Sequence, residues 1–172
     1  MNITLVRPTL ELKNDALEYR KEHFDNGEMT INGSELFDKI DSYEEWLEKV
    51  TNNANPKTVD SKWVVTDTFF AIDSNTGKLV GIVDLRNTLN EFLVNFGNSG
   101  YSVRPSERQK GYATEILRQL LDVAKKAGLE KLQLSVEKNN IPSIKTIIKN
   151  GGIYDRSFEY EGEQADIYKI IL

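Results

Sequence analysis

The chain contains no cysteine and a single histidine among its 172 residues. Disulfide bonds, thiolate metal sites and a cysteine nucleophile are therefore excluded. One histidine, His23, leaves no histidine cluster for zinc and no obvious Ser-His-Asp relay. It lies in a segment of helical character, where we expect an ordinary surface or boundary residue.

Long hydrophobic runs are also missing. No window approaches the roughly 20 apolar residues of a membrane span, and the N-terminal stretch lacks the basic-then-apolar order of a signal peptide. No internal repeat or low-complexity tract interrupts the chain. We therefore expect a single domain over residues 1–172, cytoplasmic and without a membrane partner.

Basic residues are scarce in the first third of the chain. Residues 1–60 hold 13 acidic and 7 basic side chains, a net charge of −6, whereas residues 61–172 hold 14 and 15, a net of +1. Binding to nucleic acid needs clustered Lys and Arg, so we expect no nucleic-acid partner. The gradient suits a basic cofactor end and an acidic acceptor end, although acidic helices that only confer solubility would also explain it.

Hydrophobic periodicity predicts a mixed order of helices and strands. Two helices, over residues 10–24 and from Asp41 or Ser42, follow a first strand at residues 3–6. The period then changes to two, which predicts a hairpin and a further strand that is broken near residues 97–100. Together with the remaining segments the order is β-α-α-β-β-β-α-β-α-β-β, with strands expected over residues 63–72, 79–85, 92–103, 132–136, 153–160 and 165–172.

The stretch from Tyr101 to Ala127 organises the chain. A short strand ends at Val103, basic residues follow in a turn, and an amphipathic helix opens near Gly111. Backbone N–H groups at a helix start have no intrahelical partner and lie at the positive end of the macrodipole, so they form an anion site. Gly111 would let a phosphate approach the backbone. The alternative is an ordinary loop glycine with a solvated basic rim.

This turn resembles that of the GNAT superfamily of acyl-CoA-dependent N-acetyltransferases. The family carries Gln/Arg-x-x-Gly-x-Gly/Ala at this junction, and here the matching residues are Arg108, Gly111 and Ala113. The resemblance also covers the preceding strand and residues 140–152. It implies the α/β (α+β) GNAT fold, a mixed, mostly antiparallel twisted sheet of roughly six to seven strands. Helices would cover both faces, and a central pair of strands would be splayed.

The resemblance also implies acetyl-CoA as the acyl donor, with no metal. The strand before the turn would offer backbone groups to the pantetheine arm, and the turn would hold the pyrophosphate. Asn140 matches an asparagine that bonds the pantetheine, although a purely helix-capping role is an equal alternative. Ser143 matches a small residue that lets the cofactor pass, and the Tyr112 side chain is expected to pack away from the phosphate. The implied cofactor-binding residues are Tyr101, Ser102, Val103, Arg108, Gln109, Lys110, Gly111, Tyr112, Ala113, Thr114, Asn140 and Ser143.

The catalytic groups of the family cannot be carried over. The tyrosine that serves many members as a general acid is Ile147 here, and the glutamate of relatives that acetylate protein N-termini is Ser135. Histone acetyltransferases have a glutamate where this chain has Gly97 and Asn98. The candidates for proton transfer are therefore Ser135, Asn98 or an ordered water. Asp84, Glu137 and Tyr154 are further alternatives that would have to reach into the site.

The implied activity is direct transfer of the acetyl group to a primary amine of an unidentified small molecule or peptide. The acceptor site would lie between residues 10–55 and the C-terminal hairpin, whose edge strand also makes a homodimer possible. Missing catalytic groups leave an alternative, a non-catalytic acyl-CoA-binding or sensing module with the same fold. An unrelated nucleotide-binding fold is disfavoured because neither usual phosphate-loop pattern occurs.

Overall fold

The computed structural model describes all 172 residues and contains seven strands and four α-helices in the predicted order. The helices are α1 (Lys13–Asp25), α2 (Tyr43–Asn53), α3 (Tyr112–Lys126) and α4 (Ile141–Lys149). The strands are β1 (Ile3–Val6), β2 (Thr66–Asp73), β3 (Leu79–Arg86), β4 (Tyr101–Val103), β5 (Lys131–Glu137), β6 (Ile153–Tyr160) and β7 (Glu163–Ile171). None of the helices combines the length and the hydropathy needed to cross a membrane.

The strands form two sheets that meet at one point. One sheet has the order β1-β2-β3-β4 and the other β5-β7-β6, and every ladder is antiparallel. Between β4 and β5 there is no ladder, only a bridge between Gly97 and Leu134. A Cβ on Gly97 would lie 2.5 Å from the Gln133 carbonyl oxygen, so glycine permits this close contact. Beyond it the sheets separate, which confirms the splayed central pair.

Helices cover both faces of the first sheet, as predicted. Phe69, Val83 and Leu85 pack with the buried stripe of α3, whereas Phe70 and Ile82, one residue out of phase, pack with α1 and α2. This alternation follows from the two-residue period of a strand that is buried on both faces. The buried positions of α3 are Tyr112, Ile116, Leu117, Leu120 and Ala124.

An aromatic core holds α2 and the loop before it against the sheet. The Phe37 and Trp46 rings lie 4.5 Å apart, and the Trp46 indole N–H donates to the Ser34 carbonyl at 2.9 Å. Ser42 caps α2 by accepting from the Glu45 N–H at 3.2 Å, as the sequence predicts. The loop between α1 and α2, residues 26–42, is thereby fixed beside the end of β4.

Two predicted strands are shorter than expected. Residues 93–95 form a 3-10 turn, and the strand in this region is confined to Tyr101–Val103. Side chains satisfy the backbone here, because the Asn90 Oδ1 accepts from the Leu93 N–H and the amide of Gln133, on β5, donates to the Val94 carbonyl. Likewise β2 begins at Thr66 rather than at Trp63. Residues 10–12 are a 3-10 turn that precedes α1.

The expectation for His23 is wrong, because this side chain is buried, with 1% of its surface exposed. Its ring packs edge-on against Tyr19 with centroids 4.8 Å apart. Its Nδ1 lies 3.0 Å from a carboxylate oxygen of Glu28, on the loop that follows α1. Sequence alone could not show that this loop folds back over the helix end.

Candidate active site

A cleft of about 1180 Å³ occupies the gap between β4 and β5. Its walls come from β4, the turn that follows it, β5, the first turns of α4, the α1–α2 loop and the β6–β7 hairpin. Two predicted site residues, Asn98 and Lys110, do not line it. The predicted residues that do are Tyr101, Ser102, Val103, Arg108, Gln109, Gly111, Tyr112, Ala113, Thr114, Ser135, Asn140 and Ser143.

The turn before α3 has the geometry of an anion site. Gly111 is the N-cap of α3 in the left-handed region, with φ of 91°, and Gln109 is also left-handed, with φ of 64°. The backbone N–H groups from Gln109 to Thr114 have no acceptor within the protein. A row of free N–H groups at a helix start matches the size and charge of a diphosphate. The residues present therefore fit the phosphate end of acetyl-CoA.

Arg108 does not direct its guanidinium at this turn. Its two Nη atoms donate to both carboxylate oxygens of Glu28 at 2.7 and 2.6 Å, and its Nε donates to the Val103 carbonyl at 3.1 Å. The Arg108 guanidinium in turn lowers the pKa of Glu28 to about 2. In this structure Arg108 fastens the turn to the α1–α2 loop, and the anion site is made of backbone.

A second carboxylate, from α1, supports the same segment. Glu22 accepts from the N–H and the Oγ of Ser106 at 2.9 and 3.0 Å and lies 3.3 Å from the Arg104 Nε. Behind the turn, the buried Tyr112 donates its hydroxyl to Asp73 at 2.6 Å, so its side chain packs into the sheet. Side chains on the protein side thus hold the turn in place.

Alternate residues of β4 present their backbone to the cleft. The Gly100 carbonyl accepts from the Asp84 N–H, and the Arg104 N–H donates to the Val80 carbonyl. Because bonding alternates along an antiparallel ladder, Ser102 also faces β3. The backbone groups of Tyr101 and Val103 therefore face the cleft, whereas those of Ser102 face β3.

The α1–α2 loop closes the cleft beside β4. The Ser102 Oγ donates to the Asn32 carbonyl at 2.7 Å. A Cβ on Gly33 would lie 2.2 Å from the Gly100 carbonyl oxygen, so the two backbones touch. Only glycine allows this approach at a φ of 76°.

Two predicted residues meet across the cleft through their side chains. The Tyr101 hydroxyl, on β4, lies 2.9 Å from the Ser143 Oγ, on α4. Burial raises the pKa of Tyr101, so its phenol stays protonated at neutral pH. Sequence reasoning selected both residues, Tyr101 for its backbone and Ser143 for its size, and missed this contact. An O–H donor therefore stands inside the cleft.

The other predicted side chains fall into different environments. Asn140 caps α4 by accepting from the Ser143 N–H at 3.3 Å. Ser135 lies on the cleft wall without a hydrogen-bond partner in the protein. Asn98 is buried, and its amide is used between the Arg86 carbonyl and the Gln133 N–H, both at 2.9 Å. Both ends of the Asn98 amide are therefore hydrogen-bonded to backbone, one on β3 and one on β5, and Asn98 does not line the cleft.

A buried carboxyl pair behind the cleft wall was not foreseen. Asp84, fully buried on β3, accepts from the Gly100 N–H at 2.7 Å and from Arg86 at 3.2 Å. Glu35 accepts from the Trp63 indole at 3.0 Å. Burial, and next the neighbouring Asp84, raise the pKa of Glu35, so the Glu35 carboxyl keeps its proton at neutral pH. The pair braces Gly100, and its residues are too far apart in sequence to be paired by a motif.

The family model for the acetyltransferase (GNAT) domain matches residues 3–153. The chain belongs to the GNAT acetyltransferase family. This agrees with the splayed strands and the N–H-lined turn. It confirms the resemblance found from the turn and from residues 140–152, which contain α4. No curated protein matches this GNAT sequence significantly.

Solved structures share the whole GNAT fold at low sequence identity. The microcin C7 self-immunity acetyltransferase MccE, in complex with acetyl-CoA and AMP, has a TM-score of 0.72 at 18% identity, covering 99% of this chain and 92% of that one. The ribosomal-protein α-N-acetyltransferase RimL, in complex with coenzyme A, has a TM-score of 0.72 at 13% identity, covering 100% and 95%. A spermidine N-acetyltransferase from Vibrio cholerae has a TM-score of 0.67 at 16% identity, covering 99% and 95%. Their likeness to this chain is one of fold.

Proposed function

We propose that this protein transfers an acetyl group from acetyl-CoA directly to a primary amine of a small molecule or a peptide. The observation that carries the proposal is the gap between β4 and β5, which runs to a turn with free N–H groups from Gln109 to Thr114. Such a gap offers unpaired strand groups at one end and an anion site at the other. Acetyl-CoA combines a diphosphate with an amide-bearing arm and matches both.

The residues that would hold acetyl-CoA follow from their placement. The N–H groups of the turn would bind the diphosphate. The backbone of Tyr101 and the N–H of Val103 would bond the pantetheine amides as an added strand does, since the Val103 carbonyl already accepts from Arg108. Asn140, exposed at the head of α4, has its amide nitrogen free for the same arm. When bound, acetyl-CoA would supply an activated thioester carbonyl at the wide part of the gap.

The reaction forms a C–N bond and breaks the C–S bond. The amine, with an ordinary pKa of about 10.4, must first lose the proton that makes it an ammonium ion. On attack the nitrogen loses a second proton, and the departing sulfur takes one up. Tyr101, protonated and inside the cleft, is the side chain suited to protonate the sulfur, with Ser143 orienting its hydroxyl. Ser135 remains the candidate to take the proton from the amine through water.

A second candidate function is an acyl-CoA-binding or sensing module. Ile147 and Ser135 stand where many GNAT enzymes have an acid or a base, and Ile147 is buried and inert. The Tyr101 phenol argues for transfer, because it restores a donor from another strand. Both functions require acetyl-CoA binding, and they differ in whether an amine releases free CoA.

Three further expectations stay predictions. The acidic first third of the chain favours a cationic acceptor, the location is expected to be cytoplasmic, and a homodimer could form through β6. This strand is the outer strand of its sheet and is largely exposed. An exposed strand edge is a common place for a second chain to pair.

The test is a calorimetric titration of acetyl-CoA into the wild type and Gly111→Glu. The substitution brings a carboxylate to the anion site, so binding should be abolished. Gly128→Glu is the matched control: Gly128 ends the same helix, has the same φ of 91° and also has open space around it. It should bind like the wild type.

The outcomes separate the alternatives. Binding by the wild type and the control, lost in Gly111→Glu, would support the cofactor site, and CoA release with a panel of amines would then support transfer. Binding without release for any amine would favour the sensing module. A folded wild type that does not bind acetyl-CoA would refute both.

A further inference from the structure

One face of the second sheet forms a wall of the cleft. Glu137 on β5 opposes Ala165 on β7, which opposes Phe158 on β6, and Glu163 opposes Tyr160. Opposed residues of an antiparallel ladder place their side chains on the same face. All five residues line the cleft. The row is therefore continuous, with a carboxylate at one end, aromatic rings at the other and a small residue between them.

A third ring completes this wall. Phe96, also in the cleft, packs nearly perpendicular to Phe158 and Tyr160 with centroids 5.9 and 4.9 Å away. The backbone just before Phe96 is held in place, because Arg156 and Gln133 both donate to the Val94 carbonyl, at 3.2 and 2.6 Å. Tyr160 is 44% exposed. The three rings, Phe96, Phe158 and Tyr160, form a pre-arranged apolar surface that is open to the cleft, which we name the ring wall.

Three carboxylates of the cleft lie on the β5 and β6–β7 segments that carry the ring wall, and Lys145 and Lys149 of α4 line the same cleft. Glu137, Glu161 and Glu163 line the cleft, and none forms an ion pair or a side-chain hydrogen bond. The nearby cation Arg86 is already engaged by Asp84 and by the Gly97 carbonyl. An exposed apolar surface rimmed by free carboxylates fits a ligand that is apolar on one side and cationic on the other.

We propose that the ring wall is the acceptor subsite, and that the acceptor is a primary amine carried on an apolar, ring-sized body. This inference rests on the proposed acetyl transfer. The body would pack against Phe96, Phe158 and Tyr160, and the carboxylates would attract the ammonium. The amine would then lie toward Ser135, which is two residues before Glu137 and on the same face of β5.

The affinity expected from each kind of contact favours an apolar amine over a polyamine. Burial of a ring-sized apolar group contributes roughly a 10- to 100-fold gain in affinity. An exposed ion pair or cation–π contact contributes about two- to fivefold, and the ion pair weakens with salt. Because the carboxylates are exposed and the rings are the larger surface, the rings decide which amine binds.

The test measures amine binding separately from transfer. 2-Phenylethylamine and spermidine are titrated by calorimetry into the full chain with excess coenzyme A. We expect 2-phenylethylamine to bind roughly tenfold more tightly, and the preference to survive added salt. Tyr160→Ala should weaken its binding roughly fivefold or more. Phe158→Ala should weaken binding to the same extent if the variant folds. If it does not fold, Tyr160→Ala is sufficient for the test, because the Tyr160 ring is 44% exposed and its removal does not open the core.

Tyr154→Ala is the matched control, since Tyr154 lies on the same strand, is 54% exposed and is not part of the cleft. It should leave binding unchanged. Tighter binding of spermidine, no binding of 2-phenylethylamine, or an equal loss in Tyr154→Ala would overturn the inference while leaving acetyl transfer standing. If none of the amines tested releases CoA from acetyl-CoA, acetyl transfer itself is refuted, whatever the binding result.

Discussion

Replacement of Glu28 by Gln tests whether the α1–α2 loop holds the phosphate turn. Glu28 accepts from Arg108 at 2.7 and 2.6 Å, and its Oε1 lies 3.0 Å from the His23 Nδ1. The shift of its pKa from 4.5 to about 2 corresponds to an upper bound of roughly 3 kcal/mol. The Arg108 and Glu28 side chains are 42% and 29% exposed, so solvent screening reduces this figure. We expect Glu28→Gln to cost about 1–2 kcal/mol of unfolding free energy at neutral pH.

The stability that Glu28 contributes should depend on pH in a definite direction. The carboxylate of Glu28 has a lower pKa in the folded state than in the unfolded state, so its stabilisation is full above about pH 4.5. That stabilisation is lost as the pH falls toward about 2. Glutamine does not titrate, so the part of the stability difference that comes from the Glu28 carboxylate should be present above about pH 4.5 and should disappear as the pH falls toward about 2.

Urea unfolding at about pH 7 and pH 2.5 measures this difference. At neutral pH the melting temperature should fall by roughly 3–6 °C, and acetyl-CoA should bind more weakly because the turn is less firmly held. Glu18→Gln is the control, because Glu18 is exposed on the preceding helix, α1, and forms no ion pair. Equal destabilisation at both pH values, or none at pH 7, would show that the Glu28–Arg108 contact does not stabilise the fold.

Two further substitutions test other parts of the site. Tyr101→Phe removes the donor inside the cleft and should lower kcat for CoA release about 10- to 100-fold with little change in the KM for acetyl-CoA; an unchanged kcat in a thiol-release assay would exclude Tyr101 as the proton donor. Gly33→Ala should destabilise the protein by about 2–4 kcal/mol, since its Cβ would overlap the Gly100 carbonyl. Gly27→Ala has an almost identical φ of 77° with open space around it, so it should cost only about 1 kcal/mol in the same thermal melts.

Local patterns in the chain were sufficient for most of the fold. The amphipathic pattern of apolar residues predicted α3, and four of its five buried residues, Ile116, Leu117, Leu120 and Ala124, follow a three-four spacing. The fifth, Tyr112, lies at the start of the helix. Ser42 and Asn140 were recognised as helix caps, and both accept from the N–H three residues later. The strand predicted at residues 92–95 fails where the side chain of Gln133, distant in sequence, donates to the Val94 carbonyl. At Trp63 the side-chain indole bonds to Glu35, and β2 begins only at Thr66.

The sequence by itself determined the order of elements, the turn at Gly111 that starts α3 and the family to which it points. These features depend on interactions within a few residues, such as helical periodicity, capping and the conformational freedom of glycine. Tertiary structure alone decided which partners the side chains found. In the folded chain the Arg108 guanidinium donates to Glu28 instead of pointing into the turn before α3, and the Tyr101 hydroxyl lies within hydrogen-bond distance of the Ser143 Oγ.

The same distinction applies to the acceptor end. Phe96 and Phe158 are far apart in the chain, and no spacing rule relates them. They meet because Arg156 and Gln133 hold the segment before Phe96 against the second sheet. Contacts of this kind depend on how the two sheets are placed, and that placement is set by the packing of α3 and α4 between them. A local pattern carries no information about such packing, so the ring wall emerged only from the folded chain.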